Sequence, residues 1–534
     1  MPVELLPPTF FDAIQLVLDS TLDLLTPLKR HWGYEGFRPL QERIVRSLLD
    51  GRDIAVIMPT GGGKSLCYQL PALILERTAI VISPLIALMQ DQAAQLDHMG
   101  IPAAVLNSSM PAAEQNQVIR RAIAGDYLLL YLSPERLARA DTMAWLAQVP
   151  IAFFAIDEAH CISEWGHEFR PEYGQLSSLR ENFPDWPIAA FTASATRRVR
   201  HDILAQLRLR DPDKYIASFR RPNLRYLVRR CDERQQRSLL VAALRAHAGA
   251  NVIVYAPTIA RVEDTVWFLA QQRIRAVGYH GKMDTADRQR NQERWMSDEV
   301  RVLVGTLAFG LGINKPSVRA VIHLAMPKSI EQYYQEAGRA GRDGLPADCA
   351  LLWQNRDTGL LAYFIDQIED AGEKERSWQR YHAIRHFAEA DRCRHQQICT
   401  HFGEAPKWDN CGMCDICAGV PEWLECAGPA LEPGSRRKRG RKVAAPQTNK
   451  SVAPLDADLV AHMREWRRGI AKRDGLAAFI VMHDSTLEEL CRRTPANLKD
   501  LLGVPGIGPR KAELYGVEIF SALEKYKRNS GVPS

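Results

Sequence analysis

A glycine-rich loop at residues 58–65 constrains the fold of this chain more than any other feature of its sequence. The loop, MPTGGGKS, follows an apolar run at 53–58 and precedes a helix-like stretch that begins near Lys64. Glycines in such a loop let backbone N–H groups wrap phosphates, and the positive end of the following helix adds to the attraction. The sequence therefore predicts a strand–loop–helix unit that binds a nucleoside triphosphate, with Lys64 on the β- and γ-phosphates and Ser65 on Mg²⁺. The other predicted nucleotide contacts in the loop are Thr60, Gly61, Gly62 and Gly63.

Two series of short apolar runs indicate the rest of the architecture. One series lies within residues 27–215 and the other within 251–353, and helix-like stretches separate the runs in both. The runs are 53–58, 79–83, 127–133, 151–157 and 188–192 in the first series and 251–256, 276–280, 300–305, 318–324 and 348–353 in the second. Apolar strands that alternate with helices are typical of parallel sheets covered on both faces. We therefore predict an α/β fold in which two tandem parallel-sheet lobes enclose a cleft. After residue 353 the pattern becomes helical and then cysteine-rich, and amphipathic helical spacing returns from 455 to 527.

Composition narrows the class of protein. The 534 residues suggest about three or four domains, and 46% hydrophobic with 25% charged residues is typical of a globular protein. No apolar run is longer than a strand, so no contact with a membrane is predicted, and secretion is not expected. The net charge is +6, and six basic residues cluster at 436–442 within a linker-like segment, 421–454. This cluster predicts contact with a polyanion; a solvated charge run without a partner is the alternative.

Two carboxylates and two arginines complete a predicted hydrolytic site. Asp157 and Glu158 end an apolar run, which places both at the carboxyl edge of the first sheet, beside the phosphate loop. We expect Asp157 to bind Mg²⁺ and Glu158 to orient or deprotonate water. Arg339 and Arg342 lie three residues apart and would share one face of a helix. We expect Arg342 to reach the γ-phosphate with Arg339 beside it, or the reverse; structural ion pairing is the alternative.

Further motifs point to a family. The segment GYEGFRPLQ at 33–41 resembles the adenine-recognition motif of the RecQ family of superfamily 2 DNA helicases. The resemblance implies that Gln41 contacts the adenine edge while Tyr34 and Arg38 flank the base, and an amide suits adenine because it offers one donor and one acceptor. The resemblance to the RecQ family covers roughly residues 27–417 and resumes near residue 455. It implies that the two predicted lobes are RecA-like. The other matching segments are 83–91, 133–136, 192–196, 279–282 and 309–316.

The segment CISEWGHEFRPEY at 161–173 resembles the aromatic-rich loop that links single-strand binding to hydrolysis in RecQ enzymes. Its aromatic rings can stack on bases, at about 1–3 kcal/mol each, and its arginine can hold a phosphate. A core position for these aromatics is the alternative, which the alternating charged residues disfavour. Glu168 is a small departure, since family enzymes more often have Asp there. The expected DNA contacts are Trp165, His167, Phe169 and Arg170.

A CxxCxxC run at 411–417 and an upstream cysteine predict a zinc site. Four thiolates form a closed tetrahedral site, which is structural and not catalytic. Eleven cysteines is an odd count, which favours reduced thiols and a metal over a disulfide framework. The resemblance to the RecQ zinc-binding subdomain implies the ligands Cys393, Cys411, Cys414 and Cys417. Competing fourth ligands are Cys399, His395, His401 and Cys426, and thiols that bind no metal are a further alternative.

The C-terminal third departs from the pattern of many RecQ enzymes, in which a winged-helix domain follows the zinc site. Residues 418–454 are fewer than a domain normally needs and have no apolar pattern, so we expect the winged helix to be absent. The basic cluster is then a candidate for part of the DNA grip. Residues 455–530 resemble the HRDC domain. Its turn at 504–508, close to Lys499, Arg510 and Lys511, either meets a phosphate or merely connects helices.

These features predict an ATP-dependent DNA helicase that uses ATP, Mg²⁺ and Zn²⁺. By resemblance it moves 3′→5′ on single-stranded DNA and acts on branched DNA in recombination, repair and replication-fork maintenance. A single-stranded-DNA-binding protein is a candidate partner, and the expected location is the bacterial cytoplasm at the nucleoid, or a nucleus. The alternatives are an RNA helicase, because the DEAH residues 157–160 also occur in that class, and a translocase or strand-annealing protein that does not unwind DNA.

The expected domains are an N-terminal helical extension (1–27), two lobes (28–215 and 216–357), a zinc-binding subdomain (358–420), a linker (421–454) and an HRDC-like domain (455–530).

Overall fold

The computed structural model describes residues 22–108, 110–139, 141–166, 168–306, 315–425, 456–474, 481–482, 484–504, 507 and 509–529. Several sequence-based expectations therefore lie outside the described residues: most of the N-terminal extension, His167, Cys426, the basic cluster, most of the linker, and parts of the segments 309–316 and 504–508. By its internal contacts the chain divides into two compact units. The first lies within residues 1–257 and 279–430, and the second within 258–278 and 431–534.

The first parallel sheet corresponds to the first series of apolar runs. Its strands are β1 (Ile54–Ile57), β2 (Thr78–Ile82), β3 (Ala103–Leu106), β4 (Leu129–Leu132), β5 (Ile151–Ile156), β6 (Ile188–Thr192) and β7 (Asp213–Ile216). They lie in the order β3-β4-β2-β5-β6-β1-β7, and all but the two edge strands are buried along their whole length. Neither edge strand forms a clear apolar run in the sequence, because β7 begins with two charged residues and β3 begins with two alanines.

The register of the first sheet brings three motifs to one edge. Strands β5, β6 and β1 are neighbours, with Ile156 paired to Ala190 and Ile57 paired to Thr192. Because the carboxyl ends of parallel strands meet at the same edge of a sheet, the loops that follow them emerge side by side. The phosphate loop, the two carboxylates and the segment 192–196 therefore lie together.

The second parallel sheet corresponds to the second series. Its strands are β8 (Leu224–Arg230), β9 (Asn251–Tyr255), β10 (Ala276–Tyr279), β11 (Val302–Gly305), β12 (Val318–His323) and β13 (Ala347–Trp353). They lie in the order β10-β11-β9-β12-β13-β8. The sequence analysis missed β8, an edge strand whose sequence LRYLVRR contains three arginines. The predicted α/β class with two parallel-sheet lobes is confirmed.

Helices connect the strands and continue beyond the second sheet. In the first lobe they are α1 (Leu25–Trp32), α2 (Gln41–Leu49), α3 (Leu66–Leu75), α4 (Ile86–His98), α5 (Ala112–Ile123), α6 (Pro134–Leu137), α7 (Thr142–Leu146), α8 (Ser177–Asn182) and α9 (Arg197–Gln206). In the second they are α10 (Glu233–Ala246), α11 (Ile259–Gln271), α12 (Thr285–Met296) and α13 (Ile330–Ala337). A helical and cysteine-rich region follows, with α14 (Asn355–Asp366), α15 (Ala371–Glu389), α16 (Arg394–His401), α17 (Asp415–Ala418) and α18 (Glu422–Glu425). Helix α18 buries Trp423 and Leu424, so helical structure extends into the predicted linker.

Helix α13 ends earlier than the sequence suggested. Its last residue is Ala337, and the two arginines at 339 and 342 lie in the turns that follow. The expectation that they share one face of a helix was therefore wrong. Gly341 has a φ of +56°, in the left-handed region that favours glycine, and this backbone cannot continue a right-handed helix.

The C-terminal helices have a hydrophobic core of their own. They are α19 (Ala457–Asp474), α20 (Asp484–Arg493), α21 (Leu498–Leu502) and α22 (Pro509–Asn529). Met463, Leu487, Leu490 and Ile519 are completely buried in this core. The amphipathic spacing seen in the sequence thus reflects one buried face on each helix. Among the described residues, no helix combines the length and apolarity that a membrane span requires.

Candidate nucleotide and DNA site

The phosphate loop is held by its own strand and by helix α2. The Nζ atom of Lys64 donates a hydrogen bond to the carbonyl of Met58, at 3.2 Å. Gly63 has a φ of +83°, and a Cβ atom added there would lie 2.3 Å from Nε2 of Gln41. Glycine suits this position because it has no Cβ to clash with Gln41 and adopts a left-handed φ without strain. Helix α3 begins at Leu66, two residues later than the sequence suggested, which leaves Lys64 and Ser65 in the turn.

The adenine-recognition segment lies directly against this loop. Gln41 is buried; its Nε2 donates to the carbonyl of Gly63 at 3.1 Å, and its Oε1 accepts from the backbone N–H of Arg38 at 2.8 Å. The guanidinium of Arg38 donates to the carbonyl of Gly61. Tyr34 is an exposed ring, 51% accessible, which suits a residue that stacks on a base. Two of the three residues predicted to bind adenine, Arg38 and Gln41, therefore contact the phosphate loop.

The two carboxylates stand where β5 ends. Asp157 is buried, and this burial together with the neighbouring Glu158 raises its pKa to about 7, against the opposing effect of Lys64. Glu158 has a φ of +47°, an uncommon conformation for a residue other than glycine. Such strain persists only where the surrounding structure enforces it, and it is frequent at functional sites. The hydroxyl of Tyr173 donates to the carbonyl of Asp157 at 3.0 Å and helps to hold this turn.

The arginines of the 339–342 turn form a concentrated positive charge next to the phosphate loop. A Cβ atom on Gly61 would lie 3.3 Å from Cγ of Arg342, so these residues are in close contact across the cleft. Burial, and then the charges of Arg339 and Arg221, lower the pKa of Arg342 to about 9. The Nε atom of Arg339 is buried and has no hydrogen-bond partner among the described residues. A buried donor and mutually repelling guanidiniums fit a site that receives the phosphates of a nucleotide.

The sequence analysis missed Arg221. Its guanidinium donates to the carbonyl of Thr60 at 2.9 Å and to those of Ala340 and Gly341 at 3.4 Å each. Arg221 precedes β8, which the sequence analysis also missed, so the chain offered no pattern that pointed to the cleft. The only signal was an Arg–Arg pair at residues 220–221, between the two series of strands.

Two aromatic rings of the aromatic-rich loop differ in their surroundings. Phe169 is exposed, whereas the ring of Trp165 has two guanidiniums close to it, with Cζ of Arg198 at 3.2 Å and Cζ of Arg376 at 5.7 Å from its centroid. Arg376, on α15, also pairs with Glu164 at 3.3 Å. The positive charges around the tryptophan would favour a nucleic acid backbone.

One imidazole lies between this loop and the carboxylate of Glu158. Nδ1 of His160 lies 3.2 Å from Oε2 of Glu158 and 3.0 Å from Oγ1 of Thr192. Its Nε2 faces the loop, 3.8 Å from Sγ of Cys161 and 4.0 Å from Oε2 of Glu168. The histidine therefore contacts the residue expected to act on water and also faces the segment expected to bind DNA. The sequence analysis gave no role to this cluster.

The cysteine cluster fits zinc. Sγ atoms of four cysteines lie within 4.8 Å of one another, as the corners of a tetrahedral site require. The site is fixed to the second lobe, because the carboxylate of Asp415 pairs with Arg394 at 2.9 Å and accepts from the backbone N–H of Val228 at 3.1 Å. The four residues are Cys393, Cys411, Cys414 and Cys417.

The competing fourth ligands are engaged elsewhere or lie apart. His395 Nε2 is 3.0 Å from the carbonyl of Arg221, and His401 Nε2 is 2.6 Å from Oε1 of Glu331. Cys399 is buried and is not a member of the four-sulfur group. These positions favour Cys393 as the fourth ligand over the alternatives that the structure describes.

Comparison with known proteins identifies the chain. Four family models match in order: DEAD/DEAH box helicase at 38–203, helicase conserved C-terminal domain at 235–344, RecQ zinc-binding at 355–418 and HRDC domain at 456–523. The ATP-dependent DNA helicase RecQ of Haemophilus influenzae is 34% identical, over 94% of this chain and 96% of the relative. The chain belongs to the RecQ family of DNA helicases. The RecQ of Bacillus subtilis is 33% identical, over 94% of this chain and 98% of the relative.

Solved structures support the fold. A DUF1998 helicase, MrfA, bound to DNA and AMPPNP matches with a TM-score of 0.52 at 19% identity, over 63% of this chain and 51% of that one. Dbp5 of S. cerevisiae, bound to RNA and ADP BeF3, matches with a TM-score of 0.51 at 16% identity, over 71% of this chain and 93% of that one. Membership of the RecQ family establishes an ATP-dependent DNA helicase that uses ATP and Mg²⁺ and binds Zn²⁺. The predictions of an ATP-dependent DNA helicase and of its cofactors ATP, Mg²⁺ and Zn²⁺ are thereby confirmed.

Proposed function

We propose that this RecQ-family helicase moves 3′→5′ on single-stranded DNA and separates the strands of tailed and branched duplexes in recombination, repair and replication-fork maintenance. The observation that carries the proposal is the contact between Gly61 in the phosphate loop and Arg342 in the second lobe. An ATP bound there would touch both lobes, so its binding and hydrolysis would close and open the cleft. Alternating grip by the two lobes then moves the motor along one strand.

The proposed roles follow the geometry of the site. When ATP binds, Nζ of Lys64 exchanges its hydrogen bond to the carbonyl of Met58 for contacts with the β- and γ-phosphates. Gln41, which is placed beside the loop by its bond to Gly63, and Tyr34 hold the adenine. Ser65 and Asp157 would hold Mg²⁺, which when bound would supply positive charge against the phosphates. Glu158 orients the attacking water. The phosphoryl charge that develops in the transition state is met by the two guanidiniums at 339 and 342.

Strand displacement on matched 3′-tailed and 5′-tailed duplexes tests the polarity. We expect displacement from the 3′ tail only, because the motor must load on a single strand and move toward the junction. Lys64→Ala, which removes the phosphate contact, is the control and should release no strand. Displacement from the 5′ tail alone would refute the proposed direction, and equal activity on RNA duplexes would favour the RNA helicase that the DEAH residues 157–160 also allow.

Trp165 offers a second test, on the coupling of DNA to hydrolysis. We expect Trp165→Ala to raise the concentration of single-stranded DNA that half-saturates ATP hydrolysis by about 5- to 150-fold, the equivalent of ~1–3 kcal/mol of base stacking. Trp165→Phe retains a ring and should recover most of the lost affinity. Hydrolysis without DNA should be the same in all three proteins. If Trp165→Ala responds to DNA as the wild type does, the ring does not stack on a base.

One observation bears on how this helicase grips DNA. The alignment with the Haemophilus influenzae relative runs over 596 positions, more than the 534 residues of this chain, so the relative carries segments without a counterpart here. Only residues 419–455 lie between the zinc-binding and HRDC matches. This supports the expected lack of a winged helix. We propose that the basic cluster at 436–442 supplies part of the missing DNA grip.

The cellular setting is proposed from the relatives. Bacterial enzymes that match nearly the whole chain support action at the nucleoid in a bacterial cytoplasm, with a single-stranded-DNA-binding protein as a candidate partner. The expected domain boundaries, from 28–215 for the first lobe to 455–530 for the HRDC-like domain, remain our proposal for the limits of each part.

A further inference from the structure

Arg221 joins the two halves of the nucleotide site across the cleft. One terminal nitrogen donates to the carbonyl of Thr60 at 2.9 Å, and the other donates to the carbonyls of Ala340 and Gly341 at 3.4 Å each. Thr60 belongs to the phosphate loop, and the other two acceptors lie between the arginines of the 339–342 turn. A planar guanidinium holds two groups of acceptors in a fixed relation, which the point charge of a lysine cannot do.

The backbone of Arg221 is itself fixed from the zinc-binding region. Nε2 of His395, on α16, lies 3.0 Å from the carbonyl of Arg221 and can donate to it. The imidazole is buried and packs edge-on against Tyr226, with the ring centroids 4.9 Å apart. The arginine therefore reaches into the cleft from a rigid support that lies outside both nucleotide-binding segments.

The neighbouring asparagine restricts the same turn. Nδ2 of Asn223 donates to the carbonyls of Gly341 at 2.8 Å and Leu345 at 3.0 Å. A Cβ atom on Gly341 would lie 2.5 Å from that Nδ2, so the turn fits closely against the segment that carries Arg221. Two side chains from one short segment thus hold the backbone from which Arg339 and Arg342 project.

We propose that Arg221 is a positioning residue for ATP hydrolysis, which sets the arginine-bearing turn against the phosphate loop and connects both to the zinc-binding region. The proposal rests on the proposed function, because it assumes that the turn at 339–342 acts on the phosphates. Arg221 acts through other groups, because its terminal nitrogens donate to the backbone carbonyls of Thr60, Ala340 and Gly341. A displacement of about 1 Å at a catalytic group can cost roughly 100-fold in rate, so loss of this contact should affect turnover.

Steady-state ATP hydrolysis by the full-length chain tests this role. We expect Arg221→Ala to lower the DNA-stimulated kcat by roughly 100-fold, while the KM for ATP and the half-saturating DNA concentration change by less than about threefold. Arg221→Lys keeps the charge without the planar fork and should recover only part of the rate. Arg225→Ala is the matched control: its side chain pairs with Asp348 at 2.8 Å and, within the described part of the chain, contacts neither the phosphate loop nor the 339–342 turn. It should keep the wild-type kcat.

The outcomes separate this proposal from the function on which it rests. An unchanged kcat in Arg221→Ala, or a rise in KM alone, would overturn the positioning role while wild-type hydrolysis still responds to DNA. A loss of kcat accompanied by lost zinc or a lowered Tm, with Arg221→Lys fully active, would also overturn it, because the residue would then support only the fold. A wild-type protein whose hydrolysis ignores DNA would instead refute the proposed function.

Discussion

Arg342→Ala should slow DNA-stimulated ATP hydrolysis by about 10³–10⁵-fold, the range associated with loss of an arginine that meets the transferred phosphoryl group. Arg342 is buried, and burial together with the adjacent charges of Arg339 and Arg221 lowers its pKa to about 9. A nucleotide would relieve this repulsion, most strongly when negative charge builds up in the transition state. We therefore expect kcat to fall far more than KM rises. Single-turnover hydrolysis of ATP in the presence of single-stranded DNA is the direct measurement.

Arg319→Ala is a suitable control for this substitution. Its guanidinium pairs with the carboxylate of Asp343, the residue that follows Arg342. Removing the Arg319 guanidinium disturbs the same turn without removing a charge that faces the phosphate loop. The rate of ATP hydrolysis by Arg319→Ala should therefore stay within about threefold of the wild type. Equal losses of ATP hydrolysis in Arg342→Ala and Arg319→Ala would mean that any substitution that disturbs the structure of this turn lowers the rate. If Arg339→Ala is the more damaging change, the order of the two arginines is reversed.

Loss of the zinc site should unfold the cysteine-rich region rather than slow the enzyme. Structural zinc sites contribute apparent free energies on the order of 10 kcal/mol, which is comparable to the whole stability of a domain. The consequence extends beyond the four cysteines, because Asp415 between them anchors Arg394 at 2.9 Å and the backbone of Val228 at 3.1 Å. We expect Cys411→Ala to lose its zinc, to show a markedly lower Tm and to aggregate. Metal analysis and thermal denaturation measure these effects.

Cys399→Ala distinguishes the proposed ligands from the alternative. Cys399 is buried but is not one of the four clustered cysteines. This variant should therefore retain one zinc per chain and lose only the modest stability of a shortened buried side chain. Zinc loss in Cys399→Ala, or full zinc content in Cys411→Ala, would contradict the ligand set.

Much of this site could be inferred from the sequence because its chemistry is local in the chain. The phosphate loop, Asp157 with Glu158, and the CxxCxxC run each place their functional groups within a few residues, so spacing alone predicts geometry. The five buried strands of the first sheet were found for a related reason, since strands covered on both faces are continuous apolar runs.

The parts that were missed depend on contacts between distant segments. Arg221 meets Thr60 and Gly341 only because two lobes fold together, and no spacing in the chain encodes that meeting. His160 belongs to a recognised motif, but its position between Glu158 and Glu168 depends on how the aromatic-rich loop folds back. The helix proposed for the two arginines failed because helical periodicity was assumed where glycines end α13.

The most direct test of the account measures ATP hydrolysis and strand displacement in the same reaction on a 3′-tailed DNA duplex. The account predicts that displaced strand accumulates with hydrolysis, that both disappear in Lys64→Ala, and that a winged helix is therefore dispensable for unwinding in this chain. DNA-stimulated hydrolysis without any displaced strand would contradict it, and would leave a motor that moves along DNA but cannot open it.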